Sequence, residues 1–144
     1  MFPGGAALNT IRVCQWILKS SHPKCTGYIG CKGKDETGSI FQSYSEKDGV
    51  RVECVVDPDK PTGVCGVSIY QKERTLVTLL GAGNSFKEEH LDNKGILDLY
   101  KNADFVYITG YFICTSIQSI RKVAKYFDRN NKVFSGKYSK RKIF

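Results

Sequence analysis

Apolar positions along this chain recur at two different periods. From Ala6 to about Ser20, Ile11, Val13/Cys14 and Ile17/Leu18 repeat at helical spacing, which predicts an amphipathic helix. "CTGYIGC" predicts a short buried strand with a glycine-rich exit. "TGSIFQSYSEKDG" predicts a second helix ending at Gly49 as the residue past its C-cap. Three β-branched runs follow, "VRVECVV", "GVCGVSIY" and "RTLVTLL", separated by turn signals such as "DPDKPTG". "KEEHLDNKGILDLYKNA" is mostly helical in pattern, and "DFVYITGYFI" predicts a buried strand. Ser116 can cap the helix "IQSIRKVAKYFD", and "NKVFS" starts a last strand.

Strands alternating with helices predict an α/β fold built on a parallel sheet. The three middle runs have no helix between them, so they suit a small antiparallel flap over residues about 50–80, laid on the main sheet. No internal repeat and no low-complexity segment interrupts the pattern.

Composition changes this picture little. At 144 residues, 41% hydrophobic and 25% charged, the chain can build one ordinary domain with a core. No apolar run approaches the ~20 residues that span a membrane, and no signal peptide is visible. The net charge of +8 suggests nucleic acid until its position is considered. Lys137, Lys140, Arg141 and Lys142 sit in the last nine residues, "GKYSKRKIF"; without those four the remainder carries +4. The expectation is therefore a solvated basic tail and no nucleic-acid partner. Six cysteines, with no C-x-x-C pair and only two histidines, lack the spacing of a zinc site. They read as reduced, mostly buried small hydrophobes in a cytoplasmic protein, the nucleus being the alternative compartment.

Several motifs fall short of chemistry. "GYIGCKGKD" is not a P-loop: Tyr28 stands where glycine is required and Asp35 follows Lys34. "GAGN" resembles an anion-binding turn, but the amide of Asn84 is no general base and reads as structural. Asp35–Glu36 and Glu88–Glu89 read as solvated helix starts, where acids favour the dipole. Two features carry more. Gly4–Gly5, with Asn9 one helical turn inside, can aim backbone N–H groups and an amide at ligand hydroxyls; it can equally be a plain helix start. "PTGVCGVSIYQKERTLVTLLGAGNSF" is strand, polar turn and strand. Such a flap can close over a ligand, with Leu76, Thr78 and Leu80 packed on it and Arg74 near the tip to neutralise phosphate charge. The alternative is an ordinary hairpin with an exposed arginine.

Taken in order, "GGAALNTIRVCQW", "GCKGKDETG", "PTGVCGVSI", "ERTLVTLLGAGNSF", "HLD" and "YITGYF" resemble the adenosine kinase branch of the PfkB/ribokinase-like superfamily. The resemblance is collinear from Gly4 to Ser135. It implies a three-layer α/β/α sandwich with a small β lid, and transfer of the ATP γ-phosphate, with Mg²⁺, to the 5′-hydroxyl of adenosine. It further implies that Gly4, Gly5 and Asn9 hold the ribose hydroxyls. Cys65, Leu76, Thr78, Leu80 and Tyr111 would surround the purine, and Arg74 would approach the transferring phosphate. Two residues depart from the pattern: Thr37 replaces the usual Phe in "D-x-F-G", and Lys32 puts a charge near a buried strand end.

The resemblance also sets expectations about extent. The family's first strand lies upstream of such a Gly–Gly turn, and its D-T-x-G-A-G-D motif, which holds the anion hole and catalytic base, has no counterpart here. Residues 1–135 are therefore expected to form a partial PfkB-type kinase domain, with lid strands within about 50–80, and 136–144 a divergent basic tail. The chain as given is expected to be inactive, lacking most of the ATP site and holding no metal of its own. Adenosine and ATP are the expected partners, without nucleic acid or membrane, and the complete protein a monomer. A noncatalytic nucleoside-binding remnant or a related sugar kinase are the alternatives.

Overall fold

The computed structural model describes residues 2–137. Two β-α-β units flank a hairpin. The first unit is β1 (Thr26–Gly33), α2 (Glu36–Lys47) and β2 (Val50–Asp57), with β1 and β2 parallel and Thr26 opposite Val50. The hairpin follows, β3 (Val64–Tyr70) and β4 (Glu73–Leu79), antiparallel with Val64 opposite Leu79. The second unit is β5 (Phe105–Thr109), the short α4 (Tyr111–Thr115), α5 (Ile117–Arg129) and β6 (Val133–Lys137), again parallel. Helix α1 (Ala6–Leu18) precedes these units, and α3 (Lys94–Asn102) joins the hairpin to β5.

The flap expected from three runs is thus a two-stranded hairpin. Val50–Asp57 belongs to the parallel pair, because α2 returns the chain alongside β1. The strand expected at "DFVYITGYFI" stops at Thr109, and Tyr111 opens a helix. Strand β6 runs through Gly136 and Lys137; the rest of the expected basic tail lies outside the described residues.

The core joins both units. Phe86, Leu91, Ile96, Tyr100, Val123 and Phe127 form one buried cluster, and Ile29, Cys31, Val55, Val106 and Phe134 reach it from four strands. Helix α5 supplies Ile120, Val123 and Phe127 at helical spacing, and Ser116 caps it by accepting from the Ser119 N–H. On α1 the period is helical as expected, and Ile11, Cys14 and Leu18 of the expected stripe are half-buried. Leu8 and Gln15 are buried, whereas Val13, Trp16 and Ile17 face outward. Gln15 is inward because its amide oxygen accepts from both N–H and hydroxyl of Thr26, at 3.1 and 2.9 Å, stitching α1 to the start of β1.

The cysteines are all unpaired, but none is fully buried; Cys25, Cys65 and Cys114 are exposed. Burial pushes the Cys54 thiol up to about 12 and raises Cys31 as well, which disfavours the thiolate form of both. Lys32 resolves its unfavourable position by donating to the Gln42 side chain and the Gly38 carbonyl of α2.

Candidate functional site

The hairpin register groups side chains by face. Residues directly opposite share a face, and successive residues alternate. Cys65 pairs with Thr78, Val67 with Leu76 and Ile69 with Arg74. One face therefore carries Cys65, Leu76, Thr78 and Arg74, four of the residues expected from sequence. Thr78 Oγ1 lies 3.2 Å from Cys65 Sγ, which fixes that pair. The same face carries Val67 and Ile69, which the sequence reading passed over; their alternation with Cys65 in "VCGVSI" was the signal that could have found them.

Arg74 lies beside the turn at Gln71–Lys72, where φ is +46° and +70°. Both central residues are left-handed, which in a two-residue hairpin loop favours Asn-Gly; this loop has neither. Arg74 is exposed and makes no ion pair among the described residues, so its charge is available to an anion.

Leu80 lies at the hairpin root, next to the 3₁₀ turn Gly81–Asn84. That turn packs against β1. It also adjoins α4: Thr115 Oγ1 donates to Asn84 Oδ1 at 3.5 Å, and the Phe86 and Phe112 rings meet edge to face at 5.5 Å. Tyr111, exposed at the C-terminal end of β5, is thus in a segment tied to the root, though not on the hairpin face. Ligands of open α/β folds sit beyond the carboxyl ends of strands, where this segment lies.

Gly4, Gly5 and Asn9 form a separate group at the start of α1. Gly5 is the N-cap at φ +103°, a conformation that favours glycine, and no side chain caps the helix. The first-turn N–H groups are therefore left for another acceptor. A Cβ on Gly4 or Gly5 would meet nothing within 4 Å, so the space beside them is open. Asn9 is exposed, and its backbone N–H donates to the Gly5 carbonyl at 2.9 Å.

One side chain departs in part from its expected role. Asp35 starts α2 as expected, as its N-cap, but it is half-buried rather than solvated, and its carboxylate accepts from Gly38 N–H and from both N–H and hydroxyl of Thr62. Those bonds, Thr62 first, hold its carboxyl below the ordinary range. No group of three His, Cys, Asp or Glu residues among those described could hold a metal ion. No helix among them is long and apolar enough to cross a membrane.

The family model described as "pfkB family carbohydrate kinase" matches residues 1–143. The chain belongs to the pfkB family. Among relatives of this pfkB member, the adenosine kinase of Dictyostelium discoideum is 43% identical over 132 residues, covering 92% of the chain and 38% of that protein. The crystal structure of Anopheles gambiae adenosine kinase, in complex with P1,P4-di(adenosine-5) tetraphosphate, superposes with a TM-score of 0.86 at 34% identity, over 92% of this chain and 38% of that one. Adenosine kinase from Schistosoma mansoni, in complex with adenosine in an occluded loop conformation, gives 0.85 at 30% identity over the same shares, 92% and 38%. The fold is accordingly the ribokinase-like α/β fold, and the chain spans 38% of the length of these relatives.

Proposed function

We propose that this pfkB chain forms the nucleoside-facing part of an adenosine kinase, which transfers the γ-phosphoryl group of ATP to the adenosine 5′-hydroxyl to give AMP. The observation that carries the reading is the hairpin register, which puts Cys65, Leu76, Thr78 and Arg74 on one exposed face. An apolar strip ending in a cation suits a purine nucleoside whose 5′ end meets phosphate. In this reading Leu76, Thr78, Cys65 and Leu80 exclude water from the base, and Tyr111 closes the pocket from α4. The open first turn of α1 and the Asn9 amide take the ribose hydroxyls. Arg74 stabilises the charge that spreads over the transferring phosphoryl oxygens. ATP supplies the phosphoryl group. Mg²⁺ has no cluster of ligands among the described residues, so no step is assigned to a protein-held metal. The six unpaired thiols support a reducing, cytoplasmic setting.

The test is a calorimetric panel of adenosine, inosine, ribose and fructose on the protein that carries this sequence, followed by an AMP-formation assay. Adenosine binding with AMP production is the expected result. Preference for a free sugar would favour the sugar-kinase reading, and adenosine binding without AMP the noncatalytic one. The 144 residues assayed alone are expected to yield no AMP. The D-T-x-G-A-G-D sequence to which the resemblance assigns the catalytic base is not among them.

A further inference from the structure

The hairpin leaves the body through two adjacent chain segments, Pro61–Gly63 and Leu80–Ala82. These two are bonded to each other: Ala82 N–H donates to the Pro61 carbonyl at 2.8 Å. Only glycine fits where they cross. Gly81 has φ +49°, and a Cβ there would collide with the Pro61 carbonyl; one on Gly63 would lie 2.7 Å from the Leu80 carbonyl. The two segments are thus held against each other, and the contacts of that crossing with the body bear on how the hairpin is oriented.

Thr62, buried in the crossing as Ala82 is, directs its polar atoms to one carboxylate. Thr62 N–H donates to Asp35 Oδ2 at 2.7 Å, and Thr62 Oγ1 donates to Asp35 Oδ1 at 2.6 Å. The same hydroxyl accepts from Gly33 N–H at 2.9 Å, at the end of β1. Asp35 Oδ1 also accepts from Gly38 N–H at 2.7 Å, in the first turn of α2. Gly33 and Gly38 permit this closeness: a Cβ on Gly33 would lie 2.6 Å from Thr62 N, and one on Gly38 would lie 2.8 Å from Thr62 Oγ1. Hydrogen bonds to a charged acceptor are about twice as strong as neutral ones. A single carboxylate thus ties strand end, helix start and hairpin root together.

We propose that Asp35 is a positioning residue for the hairpin, acting through Thr62 to set the angle at which the Cys65–Arg74 face meets its ligand. The proposal rests on the reading of that hairpin as a lid over nucleoside. Asp35 touches no ligand itself. Its carboxylate fixes the root, and the two strands carry that orientation outward to Arg74.

Asp35→Asn separates this role from helix capping. Asn caps a helix as well as Asp does, so α2 keeps its first turn. With its amide oxygen on Gly38 N–H and the Thr62 hydroxyl, its NH₂ group faces the Thr62 N–H, donor against donor. Thr62→Val removes the hydroxyl at nearly constant shape and leaves Gly33 N–H unpaired; Thr62→Ser keeps the hydroxyl. Ser39→Ala, which removes only the bond from Ser39 Oγ to the Asp35 carbonyl at 3.2 Å, is the control. Site-resolved hydrogen exchange on the unliganded protein should show residues 62–80 exchanging about 10-fold faster in Asp35→Asn and Thr62→Val, with α2 unchanged. Thr62→Ser and Ser39→Ala should match the parent. Unchanged exchange over 62–80 in Asp35→Asn, or loss confined to α2, would overturn the proposal. Adenosine titration of the same variants separates the two readings. Faster exchange with weaker adenosine binding supports both; faster exchange with unchanged adenosine binding leaves the Asp35 clasp standing and removes the lid.

Discussion

Every residue of β3 and β4 is exposed, whereas Phe127 and Phe86 are sealed at 0% and 2% exposure. Both regions are rich in apolar side chains. In the body these side chains converge on one cluster reached from four strands, and burial supplies the stability. In the hairpin Val67, Ile69, Leu76 and Val77 remain exposed among the described residues; the strands are held by their ladder and by the root at Thr62. Isolated two-stranded hairpins are marginal in water. A region kept ordered from its base, with apolar faces open, has its remaining burial free energy available for a ligand. That division lets chemistry on the hairpin be altered without unfolding the body.

The harshest way to probe the comparison is Phe127→Ala. Removing a large side chain from a closed core costs about 3–5 kcal/mol. Urea denaturation should show the unfolding free energy falling by that amount and the midpoint falling with it, and an unchanged midpoint would mean the body does not depend on this cluster. Arg74→Ala should do the reverse. In the active protein we expect kcat to fall about 10²–10³-fold at constant Tm, because an exposed side chain carries charge stabilisation and no packing. Equal kcat for mutant and parent would remove Arg74 from the mechanism.

Asn9→Ala should weaken adenosine by about 1–3 kcal/mol while sparing 2′,3′-dideoxyadenosine, which lacks the hydroxyls to be bonded. Calorimetry with both ligands checks this; equal losses would assign Asn9 to shaping the helix start. Acid should loosen the hairpin before the core. The Asp35 carboxyl is held low in the folded state, so its contribution is complete above the ordinary Asp value of 3.8 and is lost as the pH falls below that toward the depressed one. Protection over residues 62–80, corrected for the intrinsic pH dependence of amide exchange and followed on descending pH, should be level down to that point and then fall. The smallest effect is expected at the tip. Gln71→Asn with Lys72→Gly suits the left-handed turn and should slow hairpin exchange by an amount equivalent to at most about 1 kcal/mol.

Periodicity revealed most of the elements. The 3.6-residue pattern located α1, α2 and α5, and the left-handed Gly49 and the capping Ser116 marked their ends as expected. The hairpin strands were legible because alternation is a local property, although Val67 and Ile69, on the same face as Cys65, were passed over. What escaped was pairing. Val50–Asp57 has the same β-branched composition as the hairpin strands, and only its partner distinguishes it. The burial of Gln15 escaped for a related reason: the face a helix buries is chosen by its neighbours, here through the bonds between Gln15 and Thr26.

Sequence alone determined most of the helical and extended segments, though not the helix opening at Tyr111, and the collinear motifs that mark the pfkB family. Each of these depends on residues a few positions apart, where sterics and side-chain spacing act without reference to the rest of the chain. Tertiary structure decided that Arg74 shares a face with Cys65, and that Asp35 and Thr62, 27 residues apart, meet at the hairpin root. Such contacts follow from strand register and chain crossing, and those are set by the whole molecule's need to bury its apolar surface while leaving no buried polar group unpaired.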